Sequence, residues 1–68
     1  MIYPYSVYPV RTKSGEQWIA ESDILKGCVG QGSDHRAATR ELERNEMFWL
    51  QTAKEMMVEI PERIVKDI

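Results

Sequence analysis

The sequence predicts an α+β fold in which a small three- to four-stranded antiparallel sheet packs on one long helix, in the order β-β-β-α-β. Residues 2–12 are rich in Tyr and Val, and short Gly-containing segments separate the strand-like stretches that follow, up to residue 32. Residues 34–57 contain neither Gly nor Pro and repeat apolar side chains every three or four positions, as in an amphipathic helix. A chain of 68 residues without internal repeats fits a single domain, residues 1–68.

The first part of the chain predicts a hairpin. Residues 2–12 form its first strand, which we expect at a sheet edge because Pro4 and Pro9 donate no ladder hydrogen bond. Residues 13–16 are the turn, with a glycine that tolerates positive φ, and residues 17–21 are the second strand.

A loop over residues 22–26 then leads to a third strand over residues 27–32. Its glycines favour a bent backbone or a close approach by another element.

The helix follows directly. Ser33 is expected to be its N-cap, and Asp34 places negative charge near the positive end of the helix dipole. The 3–4 spacing predicts one apolar face: Ala38, Leu42, Asn45, Trp49, Ala53 and Met56. Residues 58–68 form either a short fourth strand or a tail that a partner orders.

Five residues are expected to have structural roles in the core: Trp18, Cys28, Leu42, Asn45 and Trp49. Asn45 lies at the centre of the apolar face without other polar residues around it. We therefore expect its amide to hydrogen-bond the backbone of the sheet or a loop, because buried polar groups need partners.

Composition argues against several functional classes. Nine basic and eleven acidic residues give a net charge of −2, without the basic stripe that nucleic-acid binding requires. One Cys and one His exclude an internal disulfide and a four-ligand zinc site, and no cofactor motif is present. The sequence has no apolar stretch of transmembrane length and no signal peptide, so we expect a cytoplasmic protein.

An enzymatic function is not expected. Cys28 lies six residues before the helix start and His35 is in its first turn, so a Cys–His pair is an alternative. A small buried strand residue is the more common role for a lone cysteine. The carboxylates form no constellation for two-metal chemistry.

Surface apolar residues indicate contact with a protein instead. Met47 and Phe48 lie outside the predicted apolar face, and exposed Met and aromatic side chains are typical of interfaces. A domain of this length also has a small core, which favours a homodimer or a higher homo-oligomer.

The order of several residues resembles the HicB-like antitoxin domain. The similar residues extend from the second strand to a position after the helix: Trp18-Ile19-Ala20-Glu21, Gly27-Cys28, Gly32, Asn45, Trp49-Leu50 and Ile60-Pro61. The chain departs from the family where Ser22-Asp23-Ile24-Leu25-Lys26 replaces a proline-containing loop. Gly30 also replaces a usual Thr, and His35-Arg36-Ala37 replaces an acidic helix opening.

The resemblance implies a partial ribonuclease-H-like fold that covers HicA, a small toxin that cleaves mRNA. It does not extend to the C-terminal DNA-binding module of full HicB antitoxins, which we do not expect in residues 1–68. We expect Glu16, Glu21 and Asp23, with Met47 and Phe48, to contact the partner. The alternative is a self-assembling structural or regulatory domain of the same fold without a toxin.

Overall fold

The computed structural model describes residues 3–60 and confirms the predicted α+β architecture. Its elements are β1 (Tyr5–Thr12), β2 (Gly15–Ser22), β3 (Val29–Gly32) and α1 (His35–Glu55). The strands form an antiparallel sheet in the order β1-β2-β3, and α1 packs mainly on β3 and β2. Among residues 3–60, β1 and β3 are therefore the edge strands, in agreement with the prolines of β1.

The hairpin turn is tighter than expected. Gly15 and Glu16, predicted to be turn residues, already belong to β2 and pair with Thr12 and Arg11. Gly15 has the predicted positive φ, at 125°, a conformation that costs little without a Cβ. A two-residue connection thus joins the strands.

The helix lies directly on the backbone of β3 because two glycines face it. A Cβ built at Gly30 would lie 2.7 Å from the Ala38 carbonyl oxygen, and one at Gly32 would lie 2.5 Å from the Ala37 Cβ. Ala20, which pairs with Gly30 across the sheet, is fully buried beneath the helix. Ala20, Gly30 and Gly32 are small and face the helix, so they set the short distance between the sheet and the helix. This is the close approach that the glycines predict.

The connection between β2 and β3 contributes to the core. Ser22 Oγ accepts hydrogen bonds from the backbone N–H groups of Ile24 and Leu25, at 3.3 and 3.0 Å. Leu25 is only 1% exposed. It packs in one cluster with buried residues of β2, of α1 and of the segments that precede β1 and β3: Tyr3, Ala20, Cys28, Ala38 and Leu42. The expectation that residues 22–26 only connect two strands missed this role.

The helix begins one residue later than expected, because the N-cap is Asp34 and not Ser33. Asp34 has extended backbone angles (φ −147°, ψ 175°), and its Oδ1 accepts the Ala37 N–H at 2.7 Å. A carboxylate in this position satisfies an otherwise unpaired helix N–H and also favours the positive end of the dipole.

The helix ends in a Schellman motif. Val58 N–H donates to the Ala53 carbonyl at 2.8 Å, and Met57 N–H donates to the Lys54 carbonyl at 3.3 Å. Met57 takes the left-handed position with φ 57°, where glycine is usual. Met56 is the C-cap and is 68% exposed, so its predicted place on the apolar face was wrong.

The predicted fourth strand does not begin in the described part of the chain, since residues 58–60 are neither strand nor helix. Residues 61–68, and the Ile2 end of the first predicted strand, lie outside the described residues. Within residues 3–60, no helix has the length and apolarity needed to cross a membrane.

Candidate protein-binding surface

In the described part of the chain, no helix or strand covers the face of the sheet that turns away from α1. Since Gly30 and Gly32 face the helix, Val29 points to the opposite side of β3. The strand register places Tyr8, Val10 and Ile19 on that same side. Tyr8, Val10 and Val29 are 38%, 37% and 46% exposed. We call this surface, Tyr8, Val10, Ile19 and Val29, the open face.

Two carboxylates border the open face, and each accepts a hydrogen bond from β1. Glu21 Oε1 accepts the Tyr8 hydroxyl at 2.9 Å, and Asp23 Oδ1 accepts the Ser6 hydroxyl at 2.8 Å. The hydrogen bond to Glu21, with smaller contributions from burial and from the charge of Glu21, raises the pKa of Tyr8. These bonds hold both carboxylates beside the apolar centre of the open face.

Glu16 does not join them. It pairs with Arg11 next to the hairpin turn, on the alternate row of side chains, which points to the helix side of the sheet. The structure thus places two of the three predicted acidic contacts on one surface.

The predicted apolar contacts lie elsewhere. Phe48, 63% exposed, borders an open groove of about 560 Å³ between the start of β3 and the C-terminal half of α1. Cys28, Trp49, Ala53 and Val58 are among the other residues that line it. Met47 is 68% exposed and does not line the groove. The five predicted contacts therefore form no single patch.

The residues predicted to be structural lie in or beside the core. Leu42 and Cys28 are buried, and the two tryptophans are partly buried and pack against the core cluster. Trp49 Nε1 donates to the Lys26 carbonyl at 3.0 Å, which attaches the helix to the β2–β3 loop. Asn45 Nδ2 donates to the Val29 carbonyl at 2.6 Å, a backbone bond of the kind its position predicts.

Cys28 and His35 are not brought together. The His35 ring packs edge-on against Trp18, with 5.8 Å between centroids, whereas Cys28 lines the groove beside the C-terminal half of α1. Burial, and to a smaller extent the charge of Glu46, raises the pKa of the Cys28 thiol. Both effects favour the thiol over the nucleophilic thiolate.

Sequence reasoning missed one polar residue of the interior, Glu46. It is only 2% exposed, and its Oε2 accepts the Tyr3 backbone N–H at 3.3 Å. Glu46 follows Leu42 by four positions and precedes Trp49 by three, so its spacing already placed it beside the apolar face. The bond fixes the segment that enters β1 against the helix.

The described residues contain no group of three or more His, Cys, Asp or Glu side chains arranged to hold a metal ion. Comparison with known proteins finds no match to this chain among family models, curated proteins or solved structures.

Proposed function

We propose that this chain is a protein-binding domain of the antitoxin type, which inhibits a small, basic, mRNA-cleaving ribonuclease in the cytoplasm by covering its active surface. The observation that supports it best is the open face, an apolar sheet surface bordered by Glu21 and Asp23. The resemblance of the sequence to HicB-like antitoxins supplies the class of partner.

The chemistry of the open face suits such a partner. Its aromatic and β-branched side chains provide apolar area that a partner with a flat surface would bury on binding, and tyrosine is common at interfaces. The two carboxylates at its border attract the basic surface with which a ribonuclease binds RNA. Apolar burial then slows dissociation, while charge sets the association rate and the choice of partner.

The mechanism assigned to the domain is steric and electrostatic exclusion. The open face occupies the surface that RNA would use, with carboxylates in place of phosphates. No residue of this chain acts as a catalyst in the proposal.

The test measures cleavage of an mRNA substrate by the basic protein encoded beside this gene, with and without the full chain. Inhibition by the parent chain is expected, together with weaker inhibition by the Glu21→Lys/Asp23→Lys variant. The loss is expected to be larger at low salt than at high salt, because salt screens exposed charges.

The matched control is Glu55→Lys/Glu59→Lys, which makes the same change in net charge. Both positions are exposed; Glu55 is the last residue of α1 and Glu59 follows the helix. It should inhibit like the parent. Glu16→Lys tests the third acidic residue separately. Absence of inhibition by the parent chain at a large molar excess would rule out the proposal. If both double variants lost inhibition equally, the open face would not be the surface that binds the ribonuclease.

A further inference from the structure

The outer edge of β3 is closed by two side chains of the helix. Asn45 donates to the Val29 carbonyl at 2.6 Å, and Glu41 Oε2 accepts the Gln31 N–H at 3.3 Å. Glu41 and Asn45 are one helical turn apart and so face the same strand. Another strand cannot pair there without displacing them.

The outer edge of β1 is different. Ser22 N–H donates to the Cys28 carbonyl, away from β1, and bonding directions alternate along antiparallel strands. The register then turns the backbone groups of alternate β1 residues outward: Tyr5, Val7, Pro9 and Arg11. These outward groups have no hydrogen-bond partner among the residues that the structure describes.

The position of Pro9 agrees with this assignment. At an outward position its missing N–H removes no bond from the β1–β2 ladder, so the strand continues through it. Of the three described strands, β1 is also the one on which the helix packs least.

We propose that the β1 edge is a homodimer interface, at which a second copy of this chain pairs its own β1 in antiparallel orientation. Centred on Val7, the pairing forms two hydrogen bonds between the two Val7 residues. Each Tyr5 N–H also reaches the Pro9 carbonyl of the other copy, which needs no donor from proline. The result is a continuous six-stranded sheet with both helices on one side.

Charge favours this orientation. The turn end of β1 has Arg11 and Lys13 against one carboxylate, Glu16, whereas Glu21 and Asp23 lie at the other end of the hairpin. Antiparallel pairing brings the positive end of each copy beside the negative end of the other, while parallel pairing would bring like ends together. The two open faces also become one surface.

The test is sedimentation equilibrium of the full chain over a micromolar concentration series. Val7→Pro removes the central outward N–H, and Val7→Ala is its matched control because it loses the same side-chain packing and keeps the N–H. The parent and Val7→Ala should dimerise similarly, and Val7→Pro should dimerise about tenfold more weakly or worse. Circular dichroism checks that each variant folds.

Amide hydrogen exchange gives a readout that does not depend on the variants. Protection of the Tyr5 and Val7 amides should rise with protein concentration. A parent chain that remains monomeric, or a Val7→Pro dimer as tight as the Val7→Ala dimer, would overturn the proposal. Concentration-independent protection of these amides in a monomer would overturn it too, since another part of the same chain would then cover the edge. None of these outcomes depends on the ribonuclease.

Discussion

The Asn45 side chain on α1 reaches the backbone of β3 and donates a hydrogen bond to the Val29 carbonyl oxygen at 2.6 Å. The carbonyl lies on the outer edge of the sheet, where no further strand is available to pair with it among the described residues. The amide thereby satisfies a backbone group, closes the sheet edge together with Glu41, and ties the helix to the strand.

Asn45→Ala should lower the free energy of unfolding by about 1 kcal/mol, the typical net contribution of one hydrogen bond, because the Val29 carbonyl loses its side-chain donor. Urea denaturation followed by tryptophan fluorescence measures the change. The control is Gln51→Ala, an exposed position on the same helix, which should change stability by less than about 0.5 kcal/mol. Equal stabilities of the two variants would show that the amide bond contributes little.

Trp49 and Phe48 offer a second comparison between adjacent aromatic residues. Trp49 packs against the core and donates to the Lys26 carbonyl, whereas Phe48 is 63% exposed. We expect Trp49→Ala to cost about 3 kcal/mol or more, since it removes buried area and a hydrogen bond. Phe48→Ala should cost less than about 1 kcal/mol. Thermal melts that rank the two variants in the opposite order would contradict the observed orientation of the helix.

The fold was predictable because its signals are local. Alternation with turn residues gave the hairpin, and an uninterrupted 3–4 repeat gave the helix and most of its buried face. The left-handed Gly15 and the close approach at Gly30 were also predictable, because both depend on a property that only glycine has.

Details that depend on tertiary geometry were not predictable. Ser33 and Asp34 are both good N-caps, and which of them caps the helix depends on the backbone path between the end of β3 and the start of α1. The sequence places Leu25 in a connecting loop, because one apolar side chain in a short segment has no periodicity. Its burial follows from the turn that Ser22 organises.

The candidate surface was predictable only in part. Alternation places Tyr8 and Val10 on one face of β1, but does not say which face the helix covers. Gly30 and Gly32 determine which face the helix covers, because the helix backbone can approach closely only on the side where these glycines have no Cβ. Glu16 was grouped with Glu21 by proximity in sequence, whereas their odd separation places them on opposite faces.

Met57 provides a prediction about helix termination. It holds the left-handed position of the Schellman motif, where a side chain is strained and glycine is not. Met57→Gly should therefore raise the free energy of unfolding by about 0.5–1 kcal/mol, despite the greater flexibility that glycine gives the unfolded chain. The control is Met56→Gly. Its φ of −89° does not need glycine, so that change should be destabilising. If chemical denaturation showed both variants to be less stable than the parent, the left-handed position of Met57 in the Schellman motif would be contradicted.

Cys28 gives a prediction about pH. Burial, followed by the charge of Glu46, raises the pKa of the thiol in the folded chain above that of the unfolded chain. Below the unfolded value, about 8.5 for a free cysteine, both states keep the proton and stability does not depend on this group. As the pH rises above that value, the unfolded state loses its proton first, so folding stability decreases until the folded thiol also ionises.

The measurement is the urea midpoint of the parent and of Cys28→Ala between pH 7 and pH 10. The parent should lose more stability than the variant over the upper part of this range, where only the parent has a thiol to ionise. The reaction of the folded parent with iodoacetamide at pH 8 should also be slower than that of the urea-unfolded chain, because thiolate is the reactive form and the site is buried. Parallel pH profiles for the two proteins, together with fast alkylation of the folded chain, would mean that the thiol is accessible and that its pKa is not raised.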